Sequence, residues 1–133
     1  MKNEIFHIIF HFIAPLIVIN FHVIFFKSIE IEKILIIFLG SFFPDIDHVI
    51  YFKYKKNIKN FLKFNIFSDR YRKEFLIFHN IFFMLFLIFL ILLSSLYSIN
   101  LFLFFLSFFL HLIIDFFDDK FMIGTVSHWK KGR

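Results

Sequence analysis

Apolar residues fall in four long runs along this chain, and short polar segments separate the runs. The runs cover residues 5–26, 34–52, 75–97 and 101–117, with only a few polar side chains inside each. A helix rises 1.5 Å per residue, so about 20 apolar residues cross the hydrocarbon core of a bilayer. The pattern predicts an all-α fold in which residues 1–133 form a single domain, an integral membrane bundle of about four transmembrane helices.

Two prolines interrupt these helices. Pro15 lies in the middle of the first run and predicts a kink, because its ring removes a backbone donor. Pro44 interrupts the second run and predicts that the helix ends or kinks at Phe43. Asp45 then falls near the start of a second short helix, where a carboxylate favours the N-terminus through capping and the helix dipole.

The composition agrees with a membrane protein. Hydrophobic residues make up 60% of the chain, which leaves too little polar surface to cover a soluble globule of this size. The first run is too long for a cleaved signal peptide and is followed by no small-residue cleavage site. There is no cysteine, so any metal site must use imidazole and carboxylate ligands.

The formal net charge is +5, and the basic residues flank the apolar runs. Residues 53–73 hold eight of them, interleaved with apolar side chains, which predicts a basic amphipathic linker on the membrane surface between helices two and three. The positive-inside rule places this linker and both termini in the cytoplasm. We therefore expect the lipid bilayer and its anionic headgroups as partners, and no nucleic acid. The sequence specifies no protein partner.

Titratable residues recur at corresponding helix ends. With four antiparallel helices, the start of helices one and three and the end of helices two and four meet at the cytoplasmic end of the bundle. His22 lies near the opposite end of helix one and is excluded from this cluster as an interfacial residue. The residues expected to meet, and to hold one or two divalent cations, are His7, His11, Asp45, Asp47, His48, His79, His111 and Asp115.

Two spacings in this set indicate metal binding. His111 and Asp115 are four residues apart on one helix face, so they can hold an ion, or the Asp can orient the His. A buried hydrogen-bonded pair that joins two helices is the alternative. Asp45 and Asp47 can hold one or two divalent cations, whereas a purely structural role leaves two like charges that repel each other. The alternative is a polar turn at the membrane surface. Asp118 and Asp119 follow at the helix end and are expected to be solvated.

His and Asp ligands suit zinc or a similar divalent metal, which lowers the pKa of water and polarises a phosphoryl oxygen. The predicted reaction class is metal-assisted hydrolysis, and the basic surroundings, which include Arg70 and Arg72, favour a phosphoester substrate. Asn80 can position a water or a phosphate oxygen, or it can form a helix–helix hydrogen bond. No glycine-rich phosphate loop and no Gly-x-Ser-x-Gly elbow is present.

The ordered motifs resemble the LexA-binding, inner-membrane-associated metal-dependent hydrolase family. The block Pro44-Asp45-Ile46-Asp47-His48 matches in full, and it lies between His7 and the later His79-Asn80 and His111-x-x-x-Asp115. The resemblance extends from residue 7 to about residue 117 and implies a membrane-bound metal-dependent hydrolase. The family is distantly similar to zinc-dependent phospholipase C, which implies a phosphoester substrate.

The chain departs from the family pattern at three places. Glu74 replaces the His that precedes His79 by five residues, and it either serves as a carboxylate ligand or marks a lost metal position. Asn80 replaces a Ser, and residues 116–119 replace a Thr-containing stretch. We expect Asp45 or Glu74 to act as the general base.

The sequence thus predicts a divalent-metal-dependent hydrolase at the cytoplasmic face of the inner membrane, with a phospholipid headgroup as one form of substrate. The alternative is a non-enzymatic membrane protein. In that case the His/Asp cluster is a structural metal site or a hydrogen-bonded polar core, and the basic linker binds a partner or anionic lipid. An ion pathway ranks last, because it requires ionisable residues at mid-depth in the membrane.

Overall fold

The computed structural model describes residues 2–47 and 77–123, without the side chains of residues 2–10, 119, 122 and 123. The described residues contain helices and turns but no strand, which confirms the predicted all-α fold. A 3₁₀ turn, Phe43–Asp45, follows the second helix. The α-helices are α1 (Lys2–Phe26), α2 (Ile31–Phe42), α3 (Ile81–Tyr97) and α4 (Ile99–Ile123).

Helix α1 continues without a break across Pro15 and ends in a left-handed residue. Lys27 has a φ of +61°, and its backbone N–H donates to the carbonyl of Val23 at 2.8 Å. A left-handed residue just past the last turn is a common way to close a helix, although glycine is the usual residue there. After this residue the chain changes direction and continues to the start of α2.

Helix α2 is short because the chain changes to a 3₁₀ turn at Phe43. Its 12 residues extend about 18 Å, less than the hydrocarbon core of a bilayer. Pro44 lies in the first turn of the 3₁₀ segment, so the predicted helix end at Phe43 is confirmed. As far as Asp47, the second apolar run is therefore not one continuous helix.

Within the described ranges, one helical stretch is long and apolar enough to cross a membrane, Ile99–Asp118 in α4. His11–Phe26 and Ile81–Tyr97 are shorter apolar helices. The bundle of four spanning helices therefore stays a prediction, while an apolar helical bundle is observed. The helix bounds differ from the predicted runs, most clearly in α3, which begins at Ile81 instead of residue 75, and in α4, which extends from Ile99 to Ile123 instead of over residues 101–117.

Helix α4 lies at the centre and packs against the other three helices. Leu87 of α3 meets Phe108 and Leu112 of α4 in one apolar cluster. A second cluster joins α4 through Leu103 to α1 and α2. Large apolar side chains also cover much of the outer surface of α1 and α3. In a bilayer, such helices associate through close packing and interhelical hydrogen bonds, since lipid is as apolar as the side chains.

Small residues bring α2 against the backbone of α4. A Cβ atom at Gly40 would collide with the carbonyl oxygen of Phe104. One turn along α4, the hydroxyl of Ser107 is buried and donates to the carbonyl of Ile37 at 2.8 Å. This close contact fixes the end of α2, and therefore places the following 3₁₀ turn with Asp45 beside α4.

Candidate metal centre

Four side chains from three elements converge at one end of the bundle. They are His11 of α1, Asp45 of the 3₁₀ turn, and His111 and Asp115 of α4. One ligand atom from each lies within 4.8 Å of all the others. His111 and Asp115 are almost fully buried, whereas the side chain of Asp45 is 35% exposed. The group is therefore closed towards the bundle core and open on the Asp45 side.

The distances in this group are close to those that a shared cation requires. His111 Nε2 lies 3.1 Å from Asp115 Oδ2 and 3.6 Å from Asp45 Oδ1. His11 Nδ1 lies 3.7 Å from Asp45 Oδ2, and its Nε2 lies 3.7 Å from Asp115 Oδ1. Zinc bonds of about 2.0–2.1 Å in a tetrahedral site place ligand atoms about 3.3 Å apart. Since one ligand atom from each residue lies within 4.8 Å of the others, side-chain movements of about an ångström would bring all four residues onto one ion.

The chemistry of the donors also fits a divalent cation. Among the described residues, the buried Nε2 of His111 has no hydrogen-bond partner of suitable geometry, despite its proximity to Asp115. A ring nitrogen that lies near two carboxylates without an aligned hydrogen bond is suited to coordination. Two carboxylates with two neutral imidazoles carry a charge of −2, which matches a divalent ion, and this mixed nitrogen and oxygen set is typical of zinc.

His79 lies next to the four-residue group and connects two carboxylates. Its Nδ1 is 3.1 Å from Oδ2 of Asp47, and its Nε2 is 2.9 Å from Oδ2 of Asp115. Asp47 Oδ2 also accepts a hydrogen bond of 3.0 Å from the backbone N–H of Phe78. All three side chains of this chain of contacts are buried. His79 and Asp47 were both predicted as ligands. Both lie outside the group of four, where His79 contacts Asp115 directly and Asp47 is connected to it through His79.

The charges around these residues explain their protonation. Burial alone would lower the pKa of His79, but hydrogen bonds to Asp115 and Asp47, together with their charges, raise it to about 10. Burial opposes the ionisation of Asp45, yet His111 and His11 outweigh this and hold the pKa of Asp45 below its ordinary value. Without a cation, His79 is therefore an imidazolium, and each of its two N–H groups donates a hydrogen bond to one carboxylate.

Several predicted site residues fall outside this description. The backbone of His7 lies on α1, but its side chain is not among those described. The expectations for the remaining residues are untouched by the structure, because these positions lie outside the described residues: His48, Arg70, Arg72, Glu74 and the linker 53–73.

Asn80 has a structural role that the sequence did not single out. It is the N-cap of α3, where its Oδ1 accepts from the N–H of Phe83 at 2.9 Å. Its Nδ2 donates to the carbonyl of Ile77. Both ends of the amide are used by the backbone, so the position of Asn80 is explained without a substrate.

The expectation that Asp118 is solvated was wrong. Its exposed fraction is 5%, because α4 continues to Ile123 and Asp118 follows Asp115 by three residues on the same inward face. The spacing from Asp115 already indicates this face, and the prediction of solvation gave it too little weight. The structure also buries His22, with 3% exposed, at the far end of α1 from the four-residue group.

Comparison with known proteins gives one result. Residues 1–128 match the model of a protein family described as the YdjM inner membrane protein. No curated protein and no solved structure matches the chain.

Proposed function

The chain belongs to the YdjM inner membrane protein family, and we propose that it is a membrane-bound, divalent-metal-dependent hydrolase that acts on a phosphoester. The observation that carries this proposal is the convergence of His11, Asp45, His111 and Asp115 within 4.8 Å. Ionisable side chains in an apolar helical bundle are costly unless they bind an ion, pair with each other or serve a reaction.

The exposure of the group favours catalysis over a purely structural ion. Structural zinc sites are closed, whereas catalytic sites keep one position open to water and substrate. Here the two residues of α4 are buried and Asp45 forms the open edge. A divalent cation held by these residues would polarise a phosphoester and lower the pKa of a water molecule beside it.

The surrounding residues have separate roles in this proposal. His79 and Asp47 orient the carboxylate of Asp115, as outer hydrogen-bond partners do in metal sites. Asp45 at the open edge, or Glu74, accepts the proton of the attacking water. Arg70 and Arg72 in the basic linker bind the phosphate oxygens. A phospholipid headgroup is the favoured substrate, because the family is an inner membrane family and the bundle surface is apolar.

A non-enzymatic role is the second candidate, and one observation favours it. His79 links Asp47 and Asp115 in a fully buried pair of contacts, which is how a polar core joins helices. In that case the cluster stabilises a membrane adaptor, and the basic linker binds anionic lipid or a protein partner.

Elemental analysis of the purified protein in detergent tests the metal first. We expect about one zinc or similar ion per chain, and its loss in Asp115→Asn and His111→Ala. Asp118→Asn is the matched control, since it removes a buried carboxylate one turn away on the same helix. The metal should stay in place, because Asp118 is outside the group of four. A native protein without metal would contradict both the hydrolase and the structural metal site.

Turnover then separates the two candidates. The metal-loaded protein should hydrolyse a generic phosphodiester or phospholipid vesicles, and Asp45→Asn should abolish turnover. Metal content that is retained while no phosphoester is hydrolysed would favour the structural role. Circular dichroism of each variant shows whether the helical bundle is intact.

A further inference from the structure

A pocket lined partly by polar side chains lies at the end of the bundle opposite the candidate metal centre. It is a cavity of about 370 Å³ between the end of α1, the start of α2 and the start of α4. His22 is eleven residues from His11, about 16 Å along α1, so this pocket is separate from the metal centre. Its volume is in the range of roughly 300–1,000 Å³ that small-molecule sites occupy. The lining residues are His22, Phe26, Ser28, Glu30, Lys33 and Ile99.

His22 is the buried polar group of this pocket. Its exposed fraction is 3%, and its Nδ1 has no hydrogen-bond partner among the described residues. The ring is held in place by stacking on Phe26, with the centroids 4.5 Å apart and the planes at 24°. A buried polar atom without a partner is destabilising, because it has lost its hydrogen bonds to water. A ligand in the pocket that pairs with Nδ1 would remove this cost.

The pocket also presents both signs of charge. Lys33 Nζ lies 3.0 Å from Glu30 Oε2, and the side chain of Glu30 is 74% exposed. The side chain of Lys33 is 18% exposed, so water reaches this pair mainly at Glu30 and screens it, and its partners can exchange at little cost. A ligand that carries an anionic and a cationic group can pair with both residues at once, whereas a simple anion leaves Glu30 opposed to it.

Apolar side chains surround the opening. Phe26 and Ile99, which line the pocket, are 58% and 42% exposed. In an inner membrane protein, these side chains contact acyl chains. The occupant must therefore have a charged head and an apolar body that continues into the bilayer.

We propose that this pocket binds the zwitterionic headgroup of a phospholipid with a primary ammonium, its phosphate on Lys33 and His22 and its ammonium on Glu30. The class is that of phosphatidylethanolamine. A quaternary ammonium cannot donate a hydrogen bond to Glu30, and an uncharged glycerol headgroup leaves the carboxylate without a cation. The site therefore discriminates between lipids with the same acyl chains.

Native mass spectrometry of the full chain in detergent tests this proposal. The probes are dioleoyl lipids with ethanolamine, choline or glycerol headgroups, each titrated alone. We expect one ethanolamine lipid to bind about tenfold more tightly than the other two. Soluble glycerophosphoethanolamine should displace it at concentrations at which inorganic phosphate does not. Equal retention of the three lipids, or displacement by phosphate alone, would overturn the proposal.

Variants at the ion pair of Glu30 and Lys33 assign the preference to the pocket. Glu30→Gln should remove the preference for ethanolamine over choline, and Lys33→Gln should weaken all three lipids. Lys120→Gln is the matched control, because it removes an exposed lysine at the other end of α4. Bound metal should be unchanged in every variant, since none touches the four-residue group. A preference that survives both pocket variants would show that the lipid binds elsewhere.

Discussion

At the scale of single residues, His79 contacts the candidate metal site without belonging to the four-residue group. It touches Asp47 with one ring nitrogen and Asp115 with the other, and it is buried on all sides. Each contact needs a proton on its own ring nitrogen. The pKa of His79, raised to about 10, keeps both nitrogens protonated at neutral pH. His79 thus fixes the orientation of the Asp115 carboxylate towards His11 and His111.

Replacing this histidine should weaken metal binding without abolishing it. In His79→Gln, we expect the zinc affinity to fall about 10–100-fold, because Asp115 loses the partner that orients it. Competition with a chromophoric zinc indicator measures the change. His22→Gln, which alters a buried histidine at the far end of α1, should leave the affinity unchanged. A complete loss of metal, as in Asp115→Asn, would instead make His79 a direct ligand.

The sequence could predict that these residues converge, but not how the two aspartates divide between the histidines. Helix direction alone places His11, His79 and His111 at the same end of an antiparallel bundle. Asp45 and Asp47 are two residues apart, yet Asp45 faces His11 and His111 while Asp47 faces His79. That division depends on the 3₁₀ turn at Phe43–Asp45 and on side-chain rotamers, which no spacing rule specifies.

At the scale of elements, the contact between α2 and α4 determines where the 3₁₀ turn lies. Gly40→Ala should destabilise the protein by about 1–3 kcal/mol, because the new methyl group meets the Phe104 backbone, which cannot move aside easily. Helix propensity alone predicts the opposite sign, a gain of up to about 1 kcal/mol. Thermal unfolding in detergent therefore distinguishes the two effects. Leu39→Ala, at a position 60% exposed on the same helix, is the control and should change stability little in detergent.

At the end of α1, a substitution is expected to raise the stability of the protein instead of lowering it. Lys27 has a left-handed backbone, which costs a non-glycine residue roughly 1–2 kcal/mol. Lys27→Gly should therefore stabilise the protein by up to about 1 kcal/mol in thermal unfolding. Ser28→Gly, next in the chain, gains no such relief and should be neutral or destabilising, since it adds freedom to the unfolded chain. An equal effect of both substitutions would contradict the backbone explanation.

The element boundaries show where hydropathy fails as a guide. The third apolar run includes residues 75–78, but α3 begins only after Asn80, whose side chain caps the first turn. The N–H of Phe78 is used instead by Asp47. An apolar run reports burial or lipid contact, whereas a helix begins where its first N–H groups find an acceptor. The fourth run ended too early in the prediction for a related reason, since Asp118 is polar but buried.

At the scale of the whole molecule, the two polar sites lie at opposite ends of an apolar bundle. The four-residue group is at one end, and the pocket with His22 is at the other. Between them, α4 supplies the one helix in the described ranges that is long enough to cross a bilayer. If the bundle spans the membrane as the sequence predicts, the two sites face different compartments. The basic residues of the linker and tail then place the metal centre in the cytoplasm.

The absence of native cysteine makes this orientation directly measurable. Single cysteines at Ser28 and Ile77, both exposed, lie at the two ends of the bundle. In intact cells whose outer membrane has been opened, a membrane-impermeant maleimide should label Ser28→Cys. It should label Ile77→Cys only after the inner membrane is permeabilised, because the positive-inside rule holds that end in the cytoplasm.

The labelling pattern distinguishes three arrangements. The reverse pattern would place the metal centre outside the cytoplasm and contradict the orientation derived from charge. Labelling of both cysteines from the same side would contradict a spanning bundle, and would indicate that the helices lie along one face of the membrane. A bundle that spans with the expected orientation exposes the metal centre to cytoplasmic zinc and to the inner leaflet, where a phospholipid headgroup can reach the open edge at Asp45.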